Sequence, residues 1–141
     1  MSAAPATAVA VTFVWLGMVL AISFLEAPLK FRAPNVTLQI GLGIGRLVFR
    51  ALNTVEVVLA LVVLAVIVAD PPAPAVVAAF VIAFAALALQ LAAVRPRLNR
   101  RSDKVLAGLT APRSRGHYAY VGFELIKVIA LAGAGVLLLS S

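Results

Sequence analysis

The sequence contains no cysteine, and its 141 residues include one histidine and five acidic residues. The absence of cysteine excludes disulfides, thiolate metal sites and thiol redox chemistry. His117 would have to join carboxylates to hold a metal, and we interpret it as a hinge residue at the start of the last apolar run. No Ser-His-Asp or paired-histidine spacing is present. The sequence therefore predicts no enzyme, no cofactor and no metal site.

Charge is scarce: 12% of the residues are charged, whereas about a quarter are charged in soluble domains. Hydrophobic residues make up 64% of the chain, and the mean hydropathy is +1.12. The net charge of +7 comes mainly from two segments. These hold Lys30, Arg32, Arg46 and Arg50, and then Arg95, Arg97, Arg100, Arg101, Lys104, Arg113 and Arg115. This placement is typical of loops between membrane spans, and it argues against a nucleic-acid partner.

Four apolar runs are visible, at about 8–25, 47–69, 75–94 and 117–139. Each is long enough to cross a hydrocarbon layer of ~30 Å. They predict an all-α polytopic membrane protein, residues 1–141 forming one four-helix transmembrane bundle. Segments 26–46 and 95–116 are expected to be loops, and the proline-rich segment after Asp70 is expected to be a tight turn. The first run lacks a basic flank and a cleavage site, so we interpret it as a span and not a signal peptide.

The basic residues also predict the topology. The two basic loops should lie in the cytoplasm, which places both termini outside a multi-pass protein of the plasma or inner membrane. Tyr118 and Tyr120 are expected in the interfacial aromatic belt. Trp15 lies nearer the middle of its span, where helix packing is expected.

An internal duplication is one interpretation of the chain. A shift of 68 residues places Pro28 on Pro96, Arg32 on Arg100 and Glu56 on Glu124. Each half then reads as span, proline, basic loop and a span with a glutamate, which would make a parallel repeat of a two-helix hairpin. Chance similarity in a composition rich in Ala, Val and Leu is the alternative.

Glu56 and Glu124 are carboxylates within apolar runs, where an ionised Asp, Lys or Arg costs about 2.5–3.5 kcal/mol. Lys127 follows Glu124 by three residues, a spacing that lets the two side chains meet on one helix face. We expect a polar layer in the cytoplasmic half of the bundle. Its candidate members are Glu56, Glu124, Lys127, Glu26, Asn53 and Gln90, with Ser23 nearby.

Two interpretations of this layer remain open. It is either a cavity in which a carboxylate binds a proton or cation, or a network of interhelical hydrogen bonds, each worth about 0.6 kcal/mol. Because one lysine faces two carboxylates, one carboxylate needs a proton or another compensating group. The basic loops are explained by topology alone, but Arg95, Arg97, Arg100 and Arg101 are also candidates for binding anionic lipid.

The GxGxG stretch at 41–45 follows no strand, so we do not interpret it as a dinucleotide-binding loop. It is expected to be a bent or interfacial approach to the second span. Gly41 and Gly45 also form a GxxxG pattern, which permits close helix approach.

Four stretches carry a resemblance: Trp15-Leu-Gly17, residues 23–32, residues 49–56, and His117 followed by Glu124-Leu-Ile-Lys127. They resemble a family of small four-helix bacterial membrane proteins, actinobacterial in character and of unknown function. That family is distantly similar to a human transmembrane protein linked to platinum-drug tolerance. The resemblance implies a four-helix fold and assigns no role to any residue.

The leading functional hypothesis is transport or binding of a proton, a cation or a small cationic solute through the intramembrane glutamates. The alternative is a non-catalytic scaffold that binds other membrane proteins or anionic lipids through its basic loops. Four short spans enclose little space, so a homo-oligomer or a subunit of a membrane complex is expected.

Overall fold

The described part of the chain forms four helices, each long and apolar enough to cross a membrane. The computed structural model describes residues 1–110 and 115–141, so Arg113 of the expected third loop lies outside the described residues. The helices are α1, Ala3–Lys30; α2, Leu38–Ala69; α3, Pro74–Leu106; and α4, Arg115–Ser140. The predicted all-α four-helix bundle and the class of multi-pass membrane protein are confirmed.

The helices extend beyond the predicted spans, and the expected loops are shorter than predicted. Residues 38–46 form the first turns of α2, after Thr37 accepts a hydrogen bond from the Ile40 amide through its side chain. Residues 95–106 continue α3. Arginine favours helix strongly, and a helix satisfies its own backbone polar groups, so the arginine-rich segment continues α3 and does not end it.

The glycines at 41–45 lie inside α2 and not in a bent approach to it. The chain folds back closely here, because the Phe31 ring occupies the place that a Cβ at Gly41 would need. At Gly45 a Cβ would lie 2.8 Å from the ammonium nitrogen of Lys30. The close contacts at this GxxxG pattern are therefore made by the side chains of Lys30 and Phe31.

Both α1 and α3 contain a π-helical segment just before a proline. Leu20–Glu26 precedes Pro28, and Gln90–Val94 precedes Pro96. Proline crowds the carbonyl four residues earlier and cannot donate to it. A wider π turn in front of the proline relieves that conflict, so both helices continue through their prolines. The first helix therefore runs to Lys30, beyond the predicted end of its span at residue 25.

Around the bundle, α2 packs against α1, α1 against α4, α4 against α3, and α3 against α2. We name the two ends by their residues: the basic end, with Lys30, Arg46 and Arg95, and the Asp70 end, with the turn between α2 and α3. A packed apolar core fills the bundle between its middle and the Asp70 end. It includes Ala8, Trp15, Val19, Val63, Val76, Phe80, Ala83, Leu87, Ala130, Leu131, Ala134 and Leu138.

We expect Leu131→Ala to destabilise the bundle by about 2 kcal/mol, because Leu131 is fully buried and its removal leaves a cavity. Thermal unfolding in detergent measures the effect. Ile129→Ala is the matched control, since Ile129 is 72% exposed two residues away on the same helix. Equal midpoints for the two variants would contradict the assigned core.

Candidate functional site

Lys127 lies between two buried glutamates in the middle of the bundle. Its ammonium nitrogen is 2.5 Å from Glu56 Oε2 on α2 and 2.6 Å from Glu124 Oε1 on its own helix. The side chains of Lys127 and Glu56 are fully buried, and that of Glu124 is 1% exposed. The pairing of Lys127 with Glu124 was predicted from their spacing, but the contact with Glu56 was not.

Neighbouring helices orient both carboxylates by hydrogen bonds. Trp15 on α1 donates its indole N–H to Glu56 Oε2 at 2.8 Å. Gln90 on α3 donates its side-chain amide to Glu124 Oε1 at 2.8 Å, and the Ser23 hydroxyl on α1 donates to Glu124 Oε2. All four helices therefore contribute to one site, which we call the Glu–Lys–Glu cluster: Glu56, Lys127 and Glu124, with Trp15, Gln90 and Ser23 as hydrogen-bond donors.

Both π-helical segments take part in this site. Ser23 lies within the first segment, and Gln90 is the first residue of the second. π turns are frequent at functional sites because they change the direction in which side chains leave the helix. Here the donors from both segments reach Glu124.

The charges in the cluster do not balance. With both glutamates ionised, two carboxylates face one ammonium group, which leaves the cluster one positive charge short. Glu56 Oε1 and Gln90 Oε1 are buried and have no hydrogen-bond partner among the described residues. Buried polar atoms are normally paired, so the Glu56 carboxylate oxygen is a place where a proton would be stabilised, and the Gln90 amide oxygen is one where a small hydrogen-bond donor would be.

A second group of polar and aromatic side chains lies on the basic side of the cluster. The hydroxyl of Tyr120 is 3.4 Å from Asn53 Oδ1, at the long limit of a hydrogen bond. The guanidinium of Arg95 lies 4.5 Å from the centre of the Tyr120 ring and 5.0 Å from that of Phe49. These are cation–π distances, so Arg95 is held at the basic end by aromatic faces.

Lys30 on α1 belongs to the same group of polar and aromatic side chains on the basic side of the cluster. Its ammonium lies 5.7 Å from the Phe49 ring centre, and 3.8 Å from a carboxylate oxygen of Glu26. Polar side chains thus extend from the cluster towards the basic end, whereas the packed apolar core lies on its other side.

The structure brings four of the six expected ion-site residues into direct contact or hydrogen bonding: Glu56, Glu124, Lys127 and Gln90. Asn53 lies next to them through Tyr120, and Glu26 is paired with Lys30 instead. Of the expected lipid-binding arginines, Arg95 is half-buried against aromatic rings, and Arg97 and Arg100 are exposed. Arg101 follows them on α3 and is half-buried.

Sequence reasoning missed the roles of two aromatic residues. Trp15 was expected only to pack between helices, but it is also the donor to Glu56. Tyr120 was expected in an interfacial belt together with Tyr118, yet it is buried beside Asn53 while Tyr118 is 67% exposed. The spacing of Tyr120, Glu124 and Lys127 along one face of α4 is the signal that could have placed Tyr120 inside.

Among residues 1–110 and 115–141, no group of three or more His, Asp or Glu side chains comes together where it could hold a metal ion. The Glu–Lys–Glu cluster supplies two carboxylates, and the lysine ammonium occupies the position between them. The contacts within the cluster are therefore ion pairs between one ammonium group and two carboxylates.

We expect Lys127→Met to destabilise the protein by about 3–5 kcal/mol, because it leaves two buried carboxylates without a counter-charge. Thermal unfolding in detergent is the measurement. Lys104→Met is the control, since Lys104 is exposed on α3. A Lys127→Met protein as stable as this control would contradict the buried ion pairs.

No family model matches the chain, and neither curated proteins nor solved structures include a match to it. The resemblance to small four-helix bacterial membrane proteins stays a prediction.

Proposed function

We propose that the protein binds protons at the Glu–Lys–Glu cluster and passes them across the membrane. The observation that carries this proposal is the contact of one buried lysine with two buried glutamates at 2.5 and 2.6 Å. One additional proton makes this group electrically neutral. Ionisable side chains inside membranes are costly, and they mark proton and ion pathways in pumps and transporters.

A proton fits the geometry better than a larger cation. The Lys127 ammonium already occupies the place between the two carboxylates that a bound cation would take. A metal ion or organic cation would have to displace this ammonium from a site where the charged side chains are at most 1% exposed. A proton needs only one carboxylate oxygen, and Glu56 Oε1 has no partner among the described residues.

The surroundings of the cluster support access from the basic end. Tyr120, Asn53, Arg95 and Lys30 provide polar or cationic groups on that side, and closely packed apolar residues lie on the other. We infer from this difference that the cluster is reached from the basic end and not through the apolar core. In the topology that the basic loops predict, protons would reach the cluster from the cytoplasm.

We expect purified protein in liposomes to dissipate a pH gradient, and we expect Glu56→Gln and Glu124→Gln to reduce the flux to that of protein-free liposomes. The substitution keeps the size and polarity of the side chain but removes the titrating group. A pH-sensitive dye inside the vesicles measures the flux. Asp103→Asn is the matched control, because Asp103 is an exposed carboxylate at the basic end.

Flux that is the same in wild type and in both glutamine variants across pH would overturn the proposal. A wild type without flux would leave the cluster as a structural ion network and favour the scaffold hypothesis. Flux of sodium, potassium or a quaternary ammonium ion that depends on both glutamates would instead favour a cation or cationic solute as substrate.

Proton binding itself can be followed without any transport assay. Trp15 is the only tryptophan in the chain, and its indole donates to Glu56. We expect its fluorescence to change in a single step as the pH is varied between about 4 and 11, a range that contains the ordinary pKa values of Glu and Lys. The step should be absent in Glu56→Gln and unchanged in Asp103→Asn. Emission that is independent of pH in the wild type would contradict proton binding beside Trp15.

A further inference from the structure

A lateral groove separates α2 from α3 in the middle of the bundle. The two helices meet at the basic end, where Gln39 donates to the Leu106 carbonyl and Arg46 pairs with Asp103. Further towards the Asp70 end an apolar groove of about 290 Å³ opens between them. Val57, Leu61 and Leu64 line it from α2, and Phe84, Ala88 and Leu91 line it from α3.

The groove continues into a polar pocket of about 350 Å³ at the basic end. Arg46 and Arg50 on α2 line this pocket together with Arg95 on α3. Val57 and Leu91 line both the pocket and the groove, so the two adjoin each other along the outside of the bundle, and we call them together the channel between α2 and α3.

The pocket carries uncompensated positive charge. Among the described residues, Asp103 is paired with Arg46, and no carboxylate is paired with Arg50 or Arg95. Two guanidinium nitrogens of Arg95, Nε and Nη2, are buried and have no hydrogen-bond partner among the described residues. Guanidinium groups bind phosphate through paired N–H donors, so the pocket is complementary to a phosphate group.

The order of polar and apolar residues along the helices matches that of a phospholipid. From Arg50 to Leu64, α2 rises about 21 Å at 1.5 Å per residue, which is contained within a hydrocarbon layer of ~30 Å. The arginines lie at one end of this length, and the apolar side chains follow towards the membrane centre. On α2, Val57, Leu61 and Leu64 have the helical spacing of a single face.

We propose that this channel binds one anionic phospholipid, with the phosphate held by Arg50 and Arg95 and one acyl chain lying in the groove between α2 and α3. The arginines that build this site differ in part from those expected from sequence, since Arg97 and Arg100 do not line the pocket. A free phosphate would leave the apolar groove unfilled, and a second copy of the chain would leave the arginines unpaired.

The test is native mass spectrometry of delipidated protein in a neutral detergent, titrated with phosphatidylglycerol or with phosphatidylcholine carrying the same acyl chains. We expect one phosphatidylglycerol per chain, bound more tightly than phosphatidylcholine. Arg50→Gln should weaken phosphatidylglycerol binding about fivefold, the effect of one basic residue near an anionic headgroup. Arg97→Gln and Arg100→Gln are the matched controls and should bind as the wild type does.

The apolar part of the site is tested by Leu61→Trp, which fills the groove and should abolish the bound lipid. Ile129→Trp is its control, because Ile129 is an exposed apolar residue on α4, away from the groove. Equal binding of both lipids, or equal losses in Arg50→Gln and Arg97→Gln, would overturn the proposal. Glycerol phosphate that binds as tightly as the whole lipid would also overturn it. So would a Leu61→Trp variant that retains its lipid but changes its oligomeric mass, because the groove would then be a contact with a second copy of the chain.

Discussion

The structure depends on one buried ion cluster, in which a lysine on α4 compensates glutamates on two helices. Because Lys127 contacts both Glu56 and Glu124, α2 and α4 are joined across the bundle, and Trp15 and Gln90 attach α1 and α3 to the same point. Neither glutamate could stay ionised in an apolar interior without these partners. The bundle is therefore arranged around a group that packing alone would not require.

The cluster also relates the two halves of the chain. In each hairpin the first helix donates to the glutamate of the second: Trp15 to Glu56 and Gln90 to Glu124. In each, a π-helical segment ends two residues before a proline. The π-helical segments support an internal duplication, because the shift of 68 residues places Glu26 on Val94. The two donors are not at equivalent positions, since the same shift places Trp15 on Ala83. Lys127 breaks the similarity, because the shift of 68 residues places it on Leu59. One lysine consequently pairs with both carboxylates. This asymmetry leaves the cluster one positive charge short, and the proposed proton binding rests on that shortage.

The two proposed sites differ in their exposure to lipid. The Glu–Lys–Glu cluster is enclosed by protein, with the apolar core on one side and the Tyr120–Asn53–Arg95 group on the other. The channel between α2 and α3 opens towards lipid. Arg95 belongs to the surroundings of both, since it packs on Tyr120 and lines the arginine pocket. An anionic lipid at this pocket would thus lie next to the polar side chains that lead from the basic end to the cluster.

Much of the architecture could be predicted from the sequence, because apolar length and the positions of charges depend on local composition. The four apolar helices and the identities of the buried glutamates and Lys127 followed from that alone. Helix ends did not, since arginine-rich segments and a proline after a π turn remain helical whenever their backbone hydrogen bonds are satisfied.

The sequence by itself determined which residues are too polar for lipid, and so which ones need partners. Only the tertiary structure decided which residues are those partners. The spacing of Glu124 and Lys127 is local, but Glu56 is 71 residues from Lys127 and 41 residues from Trp15. Contacts over such distances are set by how the helices rotate and pack against one another, and no local pattern in the chain specifies that rotation.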